Sequence, residues 1–570
     1  MTSAENQFRR HPISRRRLLQ GSAAAAGVAM VGGLLADCGG SSTSAPTAAT
    51  GGSAGATQTG SSTSSGTPKK GGTLIVGMEA EISSFDPAVA TGTSTGRPLS
   101  NLFDPLTNTF GQQAQVQPDI AESWNVSDDG LTVTVKLRPN VKFHDGTDVN
   151  ADAVVFTFER MLNTKSPNYF GPYAFPSFDY PAYKTSTVAD PLTATFELSQ
   201  PDATFVSSLT WITGALVSPT AAKAAGKDFT SKPVGTGPFK FDSWEKNVKT
   251  TMSRFDGHWR GAPNFDQVIW IPIIEEAARF NQLASGEVDF IVSLDPQFVP
   301  QVKSNPNLQL IQGPSLHTWW ATLNVNEPHL KDVRVRQALN YAIDKDGLIQ
   351  NVLKGTAVAS RGWAWPNTWS YEPSTTAYPY DPNKAKQLLA AAGYANGFDL
   401  DYFVPESGSG MVAPKEIATA MQADLKKVGV NVNITTMEWI SYIAAILNPK
   451  GLDNINGKQI GMAQLSWMNP VDDPGMYVQY CTAGQGDQLG ANIGSYNNPQ
   501  YNDLLAKARQ INDQGQRATL YKQAQKLFAD DAPWIFMFHS NFVTAARKNI
   551  QGIALNPNQN VMILKDAWKA

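Results

Sequence analysis

The chain of 570 residues has only two cysteines, Cys38 and Cys481, so at most one disulfide could form, and none if Cys38 carries lipid. Its six histidines (His11, His144, His258, His317, His329 and His539) include no pair three to five residues apart. There is no HExxH and no CxxC, which removes the local signatures of a zinc site, and no metal is expected. No G-x-x-x-x-G-K-[ST] loop is present. Gly235-Thr236-Gly237-Pro238 is glycine-rich but leads into extended FKFDSW. A phosphate cradle wants a helix start there, so a tight chain crossing is the better reading. Net charge is −3, and no basic block lies beyond the first residues, which argues against nucleic acid as a partner. No cofactor is expected.

The amino-terminal region has an export pattern. SRRRLLQ (14–20) precedes the Ala- and Gly-rich run GSAAAAGVAMVGGLLADC (21–38), which is too mild for a spanning helix of about 20 strongly apolar residues. Arg15-Arg16 resembles a twin-arginine signal; an ordinary secretory signal or a retained membrane segment is the alternative. LLADC resembles a bacterial lipobox with Cys38 as the lipidated residue, although Asp37 stands where that pattern has Gly, Ala or Ser. Residues 39–68 are almost wholly Ser, Thr, Gly, Ala and Pro, a composition that forms a leash rather than a core.

The remaining stretch of about 500 residues is too long for one core. Leu74–Val76 is a short apolar strand. Leu131, Val133, Val135 and Leu137 alternate with polar residues as in a half-buried strand, and Asp129-Gly130 before them is turn chemistry. Asn150 starts a helix that carries Ala153, Val154 and Phe158 on one side. The apolar run Val268–Ile274, a helix over Glu275–Leu283 and a strand over Gly286–Val292 form a βαβ-like unit. Asp332 caps a helix carrying Val335 to Ile343. Asp381, Pro382 and Gly393 bracket another. A helix over Ile417–Val428 ends at Gly429 and is followed by a strand at Val430, Val432 and Ile434. Helices around Leu504 and Leu520 precede a strand at Ile535–Phe538. Such alternation predicts an α/β chain of more than one lobe.

Catalytic signatures are scarce. His144-Asp145 lies in Phe143-His144-Asp145-Gly146, which is turn chemistry with no nucleophile beside it. A glycosidase needs two carboxyls facing each other across a cleft, which sequence neighbours such as Glu275-Glu276 and Asp472-Asp473 do not by themselves supply; most such neighbours are solvated faces. The chain is therefore not expected to be an enzyme; a secreted hydrolase on a lipid tether is the competing reading.

SWNVSDDGLTVTVKLRPNVKFHDGTDVNADAVVF (123–156) closely resembles the signature block of the family 5 extracellular solute-binding proteins, the peptide- and nickel-binding receptors of ABC importers. GGTLIVG, NLFDPLT, PVGTGPFKFDSW, HWRGAPNFDQVIWIPI, ASGEVDF, KDVRVRQALNYAIDKDGLI, YDPNKAKQLLAAAGY and RATLYKQAQKLFADDAPWIFMF match in order. The resemblance spans nearly all of 70–570. It implies a two-lobed periplasmic-binding-protein-like fold of class II type with an extra domain and mixed sheets flanked by helices. Domain I would take 69–111, 232–318 and 534–570, domain II 112–231, and domain III 319–533, after a signal over 1–38. It further implies a monomeric receptor outside the cytoplasm, held to the membrane by lipid. Such a receptor closes on a peptide or other small solute and hands it to permease subunits; an oligosaccharide or nickel chelate is the alternative cargo, and sensing without transport the alternative role.

The peptide-binding members hold the ligand's amine with an Asp four residues before a proline. In SWMNPVDDPGMY (466–477) that place is Pro470, with Asn469, Asp472 and Asp473 beside it. Trp363, Trp365, Trp439 and Trp467 offer flat faces to a ligand, or fill a core. Glu81 and Ile82 lie in GMEAEISSFDP, which resembles the first-domain loop that touches ligand.

Overall fold

The computed structural model describes residues 66–90, 92–110, 114–169, 171, 179–366, 368–408, 410–469, 471–482 and 491–570. The signal, Cys38, nearly all of the 39–68 leash and Pro470 lie outside them.

The helix starts follow from their caps. Asn150 Oδ1 accepts the Ala153 N–H at 3.0 Å ahead of Ala151–Leu162. Asp332 accepts Arg334 N–H ahead of Val333–Ala342. Asp381 accepts Lys384 N–H ahead of Pro382–Ala391, and Gly393 follows at φ 93°. In each case a short side chain satisfies an N–H that the first turn leaves without a carbonyl.

The strands form one mixed sheet whose hydrogen-bonded path runs through both lobes. In order it joins Val430–Met437, Phe398–Pro405, Met462–Met468, Leu308–Leu323, Trp534–Arg547, Phe290–Ile291, Thr73–Met78, Gln267–Pro272, Lys249–Arg254 and Phe239–Glu245. Thr73–Met78 lies between Gln267–Pro272 and Phe290–Ile291 and is parallel to both, so these two outer strands, joined by the helix Glu276–Ser285, run parallel as a βαβ connection requires. The expected strand over Gly286–Val292 is confined to Phe290–Ile291, because Gly286 is spent on the left-handed cap of that helix. A separate antiparallel sheet, Ala121–Val126, Thr132–Leu137, Thr193–Leu198 and Tyr183–Asp190, carries the insertion.

Two strands unite the lobes. Leu308–Leu323 and Trp534–Arg547 pair antiparallel along nearly their whole lengths. Their register shifts twice, between Gly313 and His317 and between Trp319 and Trp320.

The insertion is fastened to the first lobe by buried polar groups. Arg160 grips Asp86 through both carboxylate oxygens, at 3.0 and 2.5 Å. Arg260 reaches Asp119 of the insertion at 3.4 Å while donating to Asp104 on its own side at 2.7 Å. His144 belongs to this seam. Its Nε2 meets Gly237 O at 2.9 Å while the Gly235 N–H points at Nδ1, and burial lowers its pKa to about 4, so it bridges as a neutral imidazole. Asp145 accepts from Ser218 and Thr147, both at 2.6 Å. The pair is turn scaffold.

Gly235 and Gly237 permit the close crossing read from the sequence. A Cβ on Gly235 would stand 2.1 Å from Leu102 O. Gly235→Ala is expected to lower unfolding free energy by about 1–3 kcal/mol, as overpacking does, which a denaturant titration would read.

Candidate functional site

The last strand of the second lobe, Met462–Met468, runs beside Leu308–Leu323 with Trp467 opposite Thr318. It stops at Asn469, whose N–H donates to Leu316 O at 3.0 Å, beside the register shift between Gly313 and His317. The chain then turns. Asp473 Oδ1 caps the short helical turn Pro474–Met476 by accepting the Gly475 N–H at 3.0 Å, and Asn469 Nδ2 donates to Asp473 O at 2.8 Å. This fixes the loop that presents Asp472.

A second loop faces it. After Ala357–Ala359 the chain carries Trp363, Trp365 and Trp369 past the same place. Tyr477 Oη donates to Trp363 O at 2.5 Å, and Thr368 Oγ1 donates to Trp365 O at 2.7 Å. The Trp369 indole N–H donates to Asp472 O. Trp365 lies 4.7 Å, ring to ring, from His539, whose imidazole burial holds neutral with a pKa lowered to about 3.

Between the loops lies a cavity of about 20 Å³, walled by Leu316, Trp363, Trp365, Asn469, Asp472 and Tyr477 among others. That is the room of a single water. Trp365 Nε1–H and Asn469 Oδ1 are both buried and have no hydrogen-bond partner among the described residues. Burial pushes Asp472 up to about 7, with the Trp369 N–H opposing and the neighbouring Asp473 adding to the rise. Asp473 is engaged elsewhere, since its Oδ1 stands 2.6 Å from Arg517 Nη2. The cavity therefore presents one carboxylate with no cation beside it among the described residues, an amide oxygen, an indole N–H and aromatic walls.

Of the candidates read from the sequence, Trp363, Trp365, Asn469, Asp472 and Asp473 come together here. Trp467 is half-buried on the strand leading in. Trp439 opens the helix Trp439–Ile446 and stacks on Tyr442 at 6.3 Å. Glu81 and Ile82 do not line the cavity. Glu81 Oε1 accepts from Ile82 N–H and Trp244 Nε1–H at 2.9 and 3.1 Å, and Ile82 is buried in the first-lobe core. The sequence reading missed Trp369 and Tyr477, although both sit within four residues of positions it had marked. It also missed Arg517, which no local signal connects to Asp473. Among the described residues no group of three His, Cys, Asp or Glu is placed to hold a metal ion, and no helix is long and apolar enough to cross a membrane.

Residues 115–488 match the family described as bacterial extracellular solute-binding proteins, family 5 Middle. The chain is 32% identical over 495 residues to heme-binding protein A of Haemophilus influenzae, covering 83% of this chain and 88% of that one. It is 30% identical over 507 residues to the dipeptide-binding protein of Escherichia coli, covering 85% and 92%. Among solved structures, the periplasmic binding protein DppA of Helicobacter pylori in complex with peptide STSA superposes with a TM-score of 0.73 at 28% identity, over 88% of this chain and 98% of that one. The oligopeptide-binding protein AppA of Bacillus subtilis with a nonapeptide gives 0.71 at 26% identity, over 88% and 100%.

Proposed function

The chain belongs to the family 5 bacterial extracellular solute-binding proteins, and from that premise we propose that it captures a peptide with a free amino group and delivers it to an ABC importer. The lone carboxylate of Asp472 in an aromatic-walled cavity carries this reading. A half-buried anion with no counter-ion among the described residues favours a cationic partner. The orphaned Asn469 Oδ1 offers an acceptor to a second N–H of the ligand, and Trp365 Nε1–H offers a donor to a carbonyl. Amine, N–H and carbonyl in close succession are the chemistry of a peptide's start. Asp472 thus takes the part that Pro470 cannot play.

Since the cavity accommodates only a water-sized object, a peptide enters when the lobes part and is enclosed when they return. The receptor so proposed has domain I over 69–111, 232–318 and 534–570, domain II over 112–231 and domain III over 319–533. It also has the twin-arginine signal, the lipid on Cys38 and the 39–68 leash, which would keep a monomeric receptor close to its permease. Relatives named for dipeptide, glutathione and peptide binding support this choice of ligand class.

The test is native mass spectrometry of the protein purified from its own source, with bound molecules released by gentle denaturation. A heterogeneous set of short unblocked peptides is the expected result. A single sugar, metal chelate or other lone solute would overturn the peptide assignment and leave the receptor role standing.

A further inference from the structure

The four-stranded insertion and the second lobe share no strand, and the insertion's chain ends both lead into the first lobe. Yet the two meet beside the cavity through directed polar contacts. Arg509, in the last turn of the helix Pro499–Gln510, forks onto Asp202, with Nε 3.1 Å from Oδ1 and Nη2 2.9 Å from Oδ2. The Ala203 N–H donates to Arg509 O at 2.8 Å. The Asp472 N–H donates to Ala114 O at 2.8 Å, and Ser208 Oγ lies 3.4 Å from Met476 Sδ.

Three features set the Asp202–Arg509 pair apart from an ordinary surface ion pair. Its carboxylate is 2% exposed and the guanidinium 22%, so screening by water is weak on one side. Its geometry is the two-pronged one that makes arginine–carboxylate contacts strong and directional. Its carboxylate is also oriented in advance, because Asp202 Oδ1 accepts the Thr204 N–H at 3.0 Å and the Thr204 hydroxyl at 2.6 Å within its own turn. Asp202 therefore holds its place whether or not Arg509 is present. A movement that parts the insertion from the second lobe must break this pair together with the two backbone bonds across the gap.

We propose that Asp202 and Arg509 form the latch of the closed receptor, positioning residues that keep the insertion shut over the cavity without touching the solute. The latch acts on how long the lobes stay together, and so on the rate of release more than on capture. It does not depend on which solute is bound.

Amide hydrogen exchange of the full-length protein tests this without any ligand. The reporters are the Ala203 and Asp472 N–H groups, which bond across the gap, and the control is the helix Ala151–Leu162. Arg509→Gln is expected to speed exchange at both reporters about tenfold or more while exchange in the control helix changes far less. Arg509→Lys should restore part of the protection. Asp202→Asn, which keeps the acceptor for Thr204, should repeat the effect from the other side. Unchanged exchange at the reporters, or fast exchange there in the wild type already, overturns the latch. Faster exchange throughout the second lobe would also overturn it, by making the pair a fold contact.

Discussion

Asp472→Asn lowers affinity for a free-amine peptide more than tenfold, about 1.4 kcal/mol, and leaves the N-acetylated form of that peptide binding as it does to the wild type. Isothermal titration with the two peptides reads this directly. The substitution keeps the size of the side chain and an acceptor for the Trp369 N–H, so what it removes is charge. Equal losses for both peptides would show that Asp472 shapes the cavity instead of choosing an ammonium group.

The same carboxyl makes affinity depend on pH. With its pKa raised to about 7, Asp472 is mostly protonated at pH 5, and a proton then competes with the ammonium for it. Affinity for the free-amine peptide should climb by up to about tenfold per pH unit towards neutrality. It should fall again as the peptide's own amine, near pKa 7.7–8.0, loses its charge. The Asn variant should lack the acid limb. Stability moves the opposite way. An acid whose pKa is raised on folding binds more protons in the folded state between its unfolded value of 3.8 and about 7, so stability falls as pH rises through that window. Asp472→Asn should accordingly melt higher than the wild type at pH 8 and close to it at pH 4.

How far the sequence disclosed this site depended on the range of the interactions involved. Helix starts were legible because a cap and its N–H lie two or three residues apart, as at Asn150, Asp332 and Asp381. The cavity loops were half legible. Trp363, Trp365, Asn469, Asp472 and Asp473 are marked by residue type and by the resemblance, whereas their meeting depends on the strand Leu308–Leu323. That strand escaped the sequence reading for a physical reason. It is buried on both faces from Ser315 onward, which erases the alternation of a half-buried strand, and Gly313-Pro314 inside it imitates a turn. Trp534–Arg547 was read as far as Phe538 only, again because burial on both faces removes the pattern. Glu81 shows the converse: a loop resemblance pointed to the ligand, while the carboxylate is occupied by the Trp244 indole and its own backbone neighbour. Least legible were Arg517 and Arg509, whose partners lie 44 and 307 positions away.

Arg517 carries the largest expected effect on stability. It rises from the helix Gln514–Asp531, donates from Nε to Ala508 O at 3.1 Å, lies 5.3 Å from the Trp369 ring centre and meets Asp473 at 2.6 Å. Burial works against the guanidinium's charge, yet Asp473 more than offsets it and raises the group above its ordinary pKa. Arg517→Met leaves Asp473 buried without a counter-charge and should cost about 3–5 kcal/mol of folding free energy, read from urea denaturation. Adding Asp473→Asn, which retains the acceptor for the Gly475 N–H, should recover most of that loss, because an apolar and amide pair needs no charge compensation. A double variant no more stable than Arg517→Met would mean that Arg517 acts through packing on Trp369 and not through the ion pair. The pair also explains why one of two adjacent aspartates is free for a ligand. With Arg517 present, Asp473 is paired, and Asp472 is the cavity carboxylate without a cation among the described residues. Without Arg517, two carboxylates stand side by side, protonation of Asp472 becomes easier still, and the acid limb of peptide binding should move to higher pH in any Arg517→Met protein that remains folded.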